Sequence, residues 1–222
     1  MSLNIIKTPS DRFLNLPDYD FSENYETIKF HNKKMNMHYV DINNDSKNVI
    51  LLLHGEPTWS YLYRHMIKRL AKSGRRIIAP DLIGFGKSDK LVEKEHYTYA
   101  NHLNWTAQLI GKMNLQNIVL FAQDWGSLLG LRHVATYPER FEGMVISNGG
   151  LPIGAGSTTA FDQWLNFSQK VETFDCGKIV NQGCLRNLTK GEIAAYNAPF
   201  PDESFKAGPR VFPTLVPIKA DQ

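Results

Sequence analysis

Asp124 stands in the segment Phe121-Ala-Gln-Asp-Trp-Gly126, between an apolar run and a stretch with helical spacing. Small residues at Ala122 and Gly126 flank it. This is the pattern of a nucleophile elbow, a sharp strand-to-helix turn, with aspartate in place of serine. The residue type sets the chemistry. A serine attacking a saturated carbon would form an ether, which is hard to cleave, whereas a carboxylate forms an ester that water hydrolyses. Asp124 therefore predicts attack at sp³ carbon through a covalent alkyl-enzyme intermediate. An aspartate here also suits the N-cap of the following helix, so the surrounding motifs carry the weight.

A second motif, His54-Gly-Glu-Pro57, directly follows an apolar run. In an elbow fold this loop supplies one backbone N–H of an oxyanion hole, and the residue after the nucleophile supplies the other. Glu56 and Trp125 fill those positions. Gly and Pro equally suit a plain strand-to-helix turn. The third motif, Asp81-Leu-Ile-Gly-Phe-Gly-Lys-Ser-Asp89, contains Gly-x-Gly but lacks the rest of either nucleotide fingerprint, and it reads as a structural turn.

These motifs need a framework. Tyr25–Phe30 and Met35–Ile42 alternate as two strands, with Asn32 to Lys34 as their turn. Val49–Leu53 is apolar on both faces, as in a buried parallel strand. Trp59, Leu62, Tyr63, Met66, Ile67 and Leu70 form the stripe of a helix starting near Thr58 and closed by Gly74. Arg75–Pro80, Asn117–Ala122 and Gly143–Ser147 are further strands. Between them lie a helix with Leu103, Ala107, Ile110 and Met113 inward, and one over Gly126–Tyr137 with Leu128, Leu131, Val134 and Ala135 on one face. Alternating strands and helices predict an α/β fold with a mostly parallel sheet covered on both faces. After Gly149 the character changes to short helices broken by Gly and Pro and rich in aromatics. The expected division is a core over 1–150, a helical cap over 151–217, and the start of a return to the core over 218–222.

Composition narrows the rest. The chain has 222 residues, 42% hydrophobic and 21% charged, with a formal net charge of +3. That is globular composition, and the charge is too small to suggest a nucleic-acid or membrane partner. The two cysteines, Cys176 and Cys184, make no disulfide framework and no metal-ligand spacing. The N-terminus lacks the apolar run of a signal peptide, and no apolar run is long enough to span a bilayer. A cytoplasmic protein is expected.

Taken together, residues 54–64 (His-Gly-Glu-Pro-Thr-Trp-Ser-Tyr-Leu-Tyr-Arg), 81–89 and 123–126 (Gln-Asp-Trp-Gly) resemble the haloalkane dehalogenases of the α/β-hydrolase fold. The likeness continues in Ala195–Ser204 and Phe212–Pro217. It implies that Asp124 displaces halide by backside attack. It further implies that halide is held by two side-chain N–H groups, of which one is Trp125. In this family the other donor is an Asn in the oxyanion loop or a cap Trp. The loop position is Glu56, and Trp164 is the cap tryptophan, a residue that plain core packing would also explain. Phe161, Phe212, Pro213 and Val216 are expected to help line an apolar cavity. The resemblance requires no cofactor and no metal. Its expected partners are a small apolar halogenated substrate and a halide ion, with a monomeric state for a complete chain.

The same resemblance places the catalytic acid and histidine after the cap. All seven histidines, His31, His38, His54, His65, His96, His102 and His133, lie before or beside the elbow. Where other dehalogenases carry the acid, after the strand at 143–147, this chain has Asn148. The expectation is therefore a C-terminally truncated dehalogenase that alkylates Asp124 without hydrolysing the ester. Two other readings stand beside it: an epoxide hydrolase, which needs cap tyrosines where this cap offers Tyr196, and an inactive binding relative.

Overall fold

The computed structural model describes residues 3–219. Six strands form the main sheet: β1 (Asn24–Phe30), β2 (Lys33–Ile42), β3 (Val49–Leu53), β4 (Arg76–Pro80), β5 (Ile118–Gln123) and β6 (Phe141–Ser147). Their spatial order is β1-β2-β4-β3-β5-β6. β1, β2 and β4 pair antiparallel; β4, β3, β5 and β6 run parallel. β3 has no polar residue to offer to water, and all of it is buried. Ile50 and Leu52 join one core with Trp59, Tyr61 and Ile67, while Val49, Leu51 and Leu53 join another with Ile110, Leu115 and Leu120. Those two cores are the packed layers on either side of the sheet. A short antiparallel ribbon, Ile5–Ile6 with Lys90–Leu91, lies apart from it.

Three helices complete this part: α1 (Arg64–Leu70), α2 (Tyr99–Lys112) and α3 (Trp125–Thr136). Several local expectations change. The β1–β2 turn is tighter than predicted: Phe30 pairs with Lys33, and His31 takes φ 49°. The helix expected from Thr58 opens with a 3₁₀ turn over Ser60–Tyr63. α2 buries His102, Trp105, Thr106, Leu109 and Ile110 rather than the face centred on Leu103 and Ala107. Two polar residues on the buried side had turned the apparent apolar face. α3 buries every residue from Trp125 to Gly130, so no stripe marks its inner face.

Beyond Gly150 the regular elements are helical: α4 (Thr159–Lys170), α5 (Cys176–Gln182), α6 (Lys190–Asn197) and α7 (Ala207–Val211). Polar caps start three of them: Thr158, Asp175 and Thr189 accept from the N–H of Phe161, Lys178 and Glu192. The two ends of this segment meet. Gly154 N–H donates to Pro217 O at 3.2 Å and Gly156 N–H to Ile218 O at 3.0 Å. Of the return expected over 218–222, residues 220–222 lie outside the described residues. Glu192 on α6 accepts from Arg64 on α1 at 2.6 Å, with both side chains buried.

β6 forms an edge of the sheet. Met144 and Val145, which point to opposite faces, are 52% and 50% exposed. Among the described residues no helix is long and apolar enough to cross a membrane.

Candidate active site

The elbow sits between β5 and α3. Asp124 takes φ 52° and ψ −123°, a region costly for a side-chain-bearing residue and held only where the surroundings dictate it. Two glycines make the turn possible. A Cβ on Gly126 would lie 2.0 Å from the Leu53 carbonyl oxygen, and one on Gly55 would lie 2.3 Å from Asp124 Oδ1. The elbow therefore presses on the end of β3, and the oxyanion loop presses on the nucleophile.

Glu56 N–H donates to Asp124 Oδ1 at 2.8 Å. Burial pushes the Asp124 carboxyl up, and the N–H groups of Glu56 and Trp125 oppose that push. Asp124 does not cap α3 with its side chain. Ser127 N–H and Oγ instead donate to its carbonyl at 2.8 and 2.5 Å. The carboxylate is thus free for chemistry beyond the helix.

Trp125 is buried in an apolar cluster with Leu82, Phe85, Leu128, Phe174, Phe200 and Phe212, against which Trp164 and Val216 also pack. Its ring lies 4.5 Å from Phe212. Trp164 packs 6.0 Å from Phe174. Trp59 donates its indole N–H to Ala195 O at 3.2 Å, but those of Trp125 and Trp164 have no acceptor among the described residues. Phe161 is half-buried on α4 and lies outside the cluster; Pro213 is buried in the 3₁₀ turn Phe212–Leu215. Sequence reasoning missed Phe85, Leu82, Phe174 and Phe200. Only the high aromatic content of residues 151–217 hinted at the last two.

Two of the three histidines near the site have hydrogen-bond partners, whereas both ring nitrogens of His102 are buried without one. His54 is fully buried; its Nδ1 donates to Gly55 O at 2.8 Å and its Nε2 accepts from Leu82 N–H at 2.9 Å. His133 shares a 2.6 Å hydrogen bond with Thr106. His102 packs edge-on to Phe212 with a centroid separation of 4.5 Å. The glycine-rich turn is structural. Asp81 accepts from Ser60 N–H at 2.7 Å, Lys87 N–H at 2.8 Å and His38 Nδ1 at 2.8 Å. Burial would raise its carboxyl, yet His38 and these donors hold it at about 2. Among the described residues no group of three His, Cys, Asp or Glu side chains is placed to hold a metal ion.

Residues 48–178 match the model of the alpha/beta hydrolase fold family. A haloalkane dehalogenase of Psychrobacter cryohalolentis is 45% identical over 99% of this chain and 73% of its own length. One of Mycolicibacterium paratuberculosis is 44% identical over 97% of this chain and 72% of its own. The solved structure of haloalkane dehalogenase DpaA from Paraglaciecola agarilytica, described as tetrameric, superposes with a TM-score of 0.94 at 37% identity. It covers 99% of this chain and 74% of that one.

Proposed function

Because the chain belongs to the haloalkane dehalogenases, on the α/β-hydrolase fold, we propose that it cleaves the carbon–halogen bond of small haloalkanes by displacement at Asp124. The observation that carries this is the half-buried Asp124 carboxylate, held on a positive-φ elbow with Glu56 N–H at 2.8 Å. An Asp124 oxygen forms the new C–O bond as the C–halogen bond breaks, and the electron pair leaves on the halide. The indole N–H groups of Trp125 and Trp164 are donors without acceptors, suited to receive that anion. The N–H groups of Glu56 and Trp125 then serve the oxyanion of ester hydrolysis. Phe212, Val216, Phe161 and Pro213 are carried as cavity residues, with 1–150 as the core and 151–217 as the cap. The chemistry is assigned to protein side chains and backbone, with no cofactor.

Hydrolysis needs a general base. Among the described residues no histidine has Asp124 as a hydrogen-bond partner; His54 has both nitrogens committed, and His102, though its nitrogens are unpartnered, packs against Phe212 and is held by burial down to about 3, a weak base. A polypeptide of these 222 residues therefore makes the ester and keeps it. Incubation with a 1-bromoalkane should add one alkyl group to the intact mass, on Asp124 and not in Asp124→Asn. Bromide release over many turnovers by this chain alone would refute the retention of the ester. Epoxide opening is disfavoured by position: Tyr196 packs against Tyr61 with α1, in a different core from Trp125.

A further inference from the structure

The displacement uses the backbone of Glu56 but not its side chain. That side chain turns inward, and its Oε1 is buried with no hydrogen-bond partner. The titratable groups around it come from three elements. Asp124, on the β5–α3 turn, is the one charge acting on Glu56 among the described residues. Cys176, the first residue of α5, has a thiol pushed up by burial and then by Glu56 itself. His54, on Glu56's own loop, keeps its ring on Gly55 O and Leu82 N–H. Among the described residues no cation answers the Glu56 carboxyl. Two carboxyls sharing a dry site do not both ionise, and the proton goes to the one with fewer donors. Asp124 accepts from Glu56 N–H at 2.8 Å and is further held down by the neighbouring Trp125 N–H; Glu56 Oε1 has no donor. Burial, then Asp124, pushes the Glu56 carboxyl well above the usual carboxylate range.

We infer that Glu56 is a positioning residue of the halide site. As a neutral carboxylic acid it leaves the Glu56–Asp124 pair with one negative charge, and its ionisation closes the site to anions. Alkylation moves that single charge from Asp124 to the halide, so the site carries one negative charge before and after the step. An ionised Glu56 would leave the departing halide facing a second anion across a low-dielectric gap. Here the inference rests on the proposal that halide binds beside Asp124.

Bromide quenching of tryptophan fluorescence, titrated from acid to alkaline pH, tests it in the 222-residue chain. The wild-type Kd should climb by up to about tenfold per pH unit once Glu56 ionises. In Glu56→Gln, which cannot ionise, only the acid-side climb from the ionisation of Asp124 itself should remain, and the climb above it should vanish. A wild-type chain labelled with ¹³C at the glutamate carboxyls gives a readout with no variant: one carboxyl carbon should keep the protonated chemical shift at neutral pH. Parallel pH slopes in the two chains, or no protonated glutamate at neutral pH, would overturn the role of Glu56 and leave the halide site standing. Absence of quenching at every pH would overturn the halide site and this role with it.

Discussion

Replacing Gly126 by alanine adds one methyl group at the tightest point of the site. Its Cβ would start 2.0 Å from Leu53 O, 2.5 Å from Leu53 C and 2.9 Å from His54 O. All three are backbone atoms, two of them on the central strand β3, so no side chain can swing aside. Relief to the shortest tolerable contact, 3.0 Å, needs the elbow and β3 to part by at least about 1 Å. That displacement falls on the 2.8 Å bond between Glu56 N–H and Asp124. A 1 Å misplacement of reacting groups is worth about 10²-fold in rate, and overpacking of this kind costs about 1–3 kcal/mol in stability. The assay is the single-turnover rate of alkylation by a 1-bromoalkane, followed by intact mass. Gly111→Ala is the control: nothing lies within 4 Å of a Cβ there, it sits inside α2, and alanine should stabilise by about 0.5–1 kcal/mol. Alkylation of Gly126→Ala within threefold of wild type would refute the argument that the elbow is wedged against β3.

Three further outcomes are expected. Trp164→Phe should raise the bromide Kd by about tenfold or more, the loss of one hydrogen bond to a charged group, as read by fluorescence quenching; an unchanged Kd would remove Trp164 from the site. Glu192→Gln should cost about 3 kcal/mol in urea unfolding, because it leaves the buried Arg64 without its counter-charge. In the wild type, Arg186 above all holds the Glu192 carboxyl at about 2. A lowered folded-state value means the stabilisation is present above the ordinary carboxylate range and fades as pH falls from about 4.3 toward 2. The variant's acid limb should lack that component. Sedimentation velocity should give a monomer, as the family resemblance implies for a complete chain; a tetramer, as described for DpaA, would overturn that expectation.

Legibility followed chemistry more closely than periodicity. Val49–Leu53 could be bounded from the sequence because a strand apolar on both faces has few other uses. The elbow was readable because small residues at Ala122 and Gly126 make sense only where backbones touch. The inner face of α2 was not, since His102 and Thr106 are buried polar residues that a hydrophobic stripe places outside. The cluster around Trp125 draws Phe85 from a turn and Phe174 and Phe200 from the cap; such long-range convergence leaves no local spacing to read. Nor does any pattern reveal that Glu56, at a loop position that looks exposed, turns its carboxyl inward.

The meeting of Gly154 and Gly156 with Pro217 and Ile218 has a consequence for variation. A segment that leaves and re-enters at one stalk closes its loop once, and the entropy of closing it grows only slowly with length. Residues inserted or exchanged between the two ends pull on the stalk rather than on β5 and the elbow. Such an arrangement lets the lining of the site diversify as a cassette, while the geometry that makes the ester is inherited unchanged.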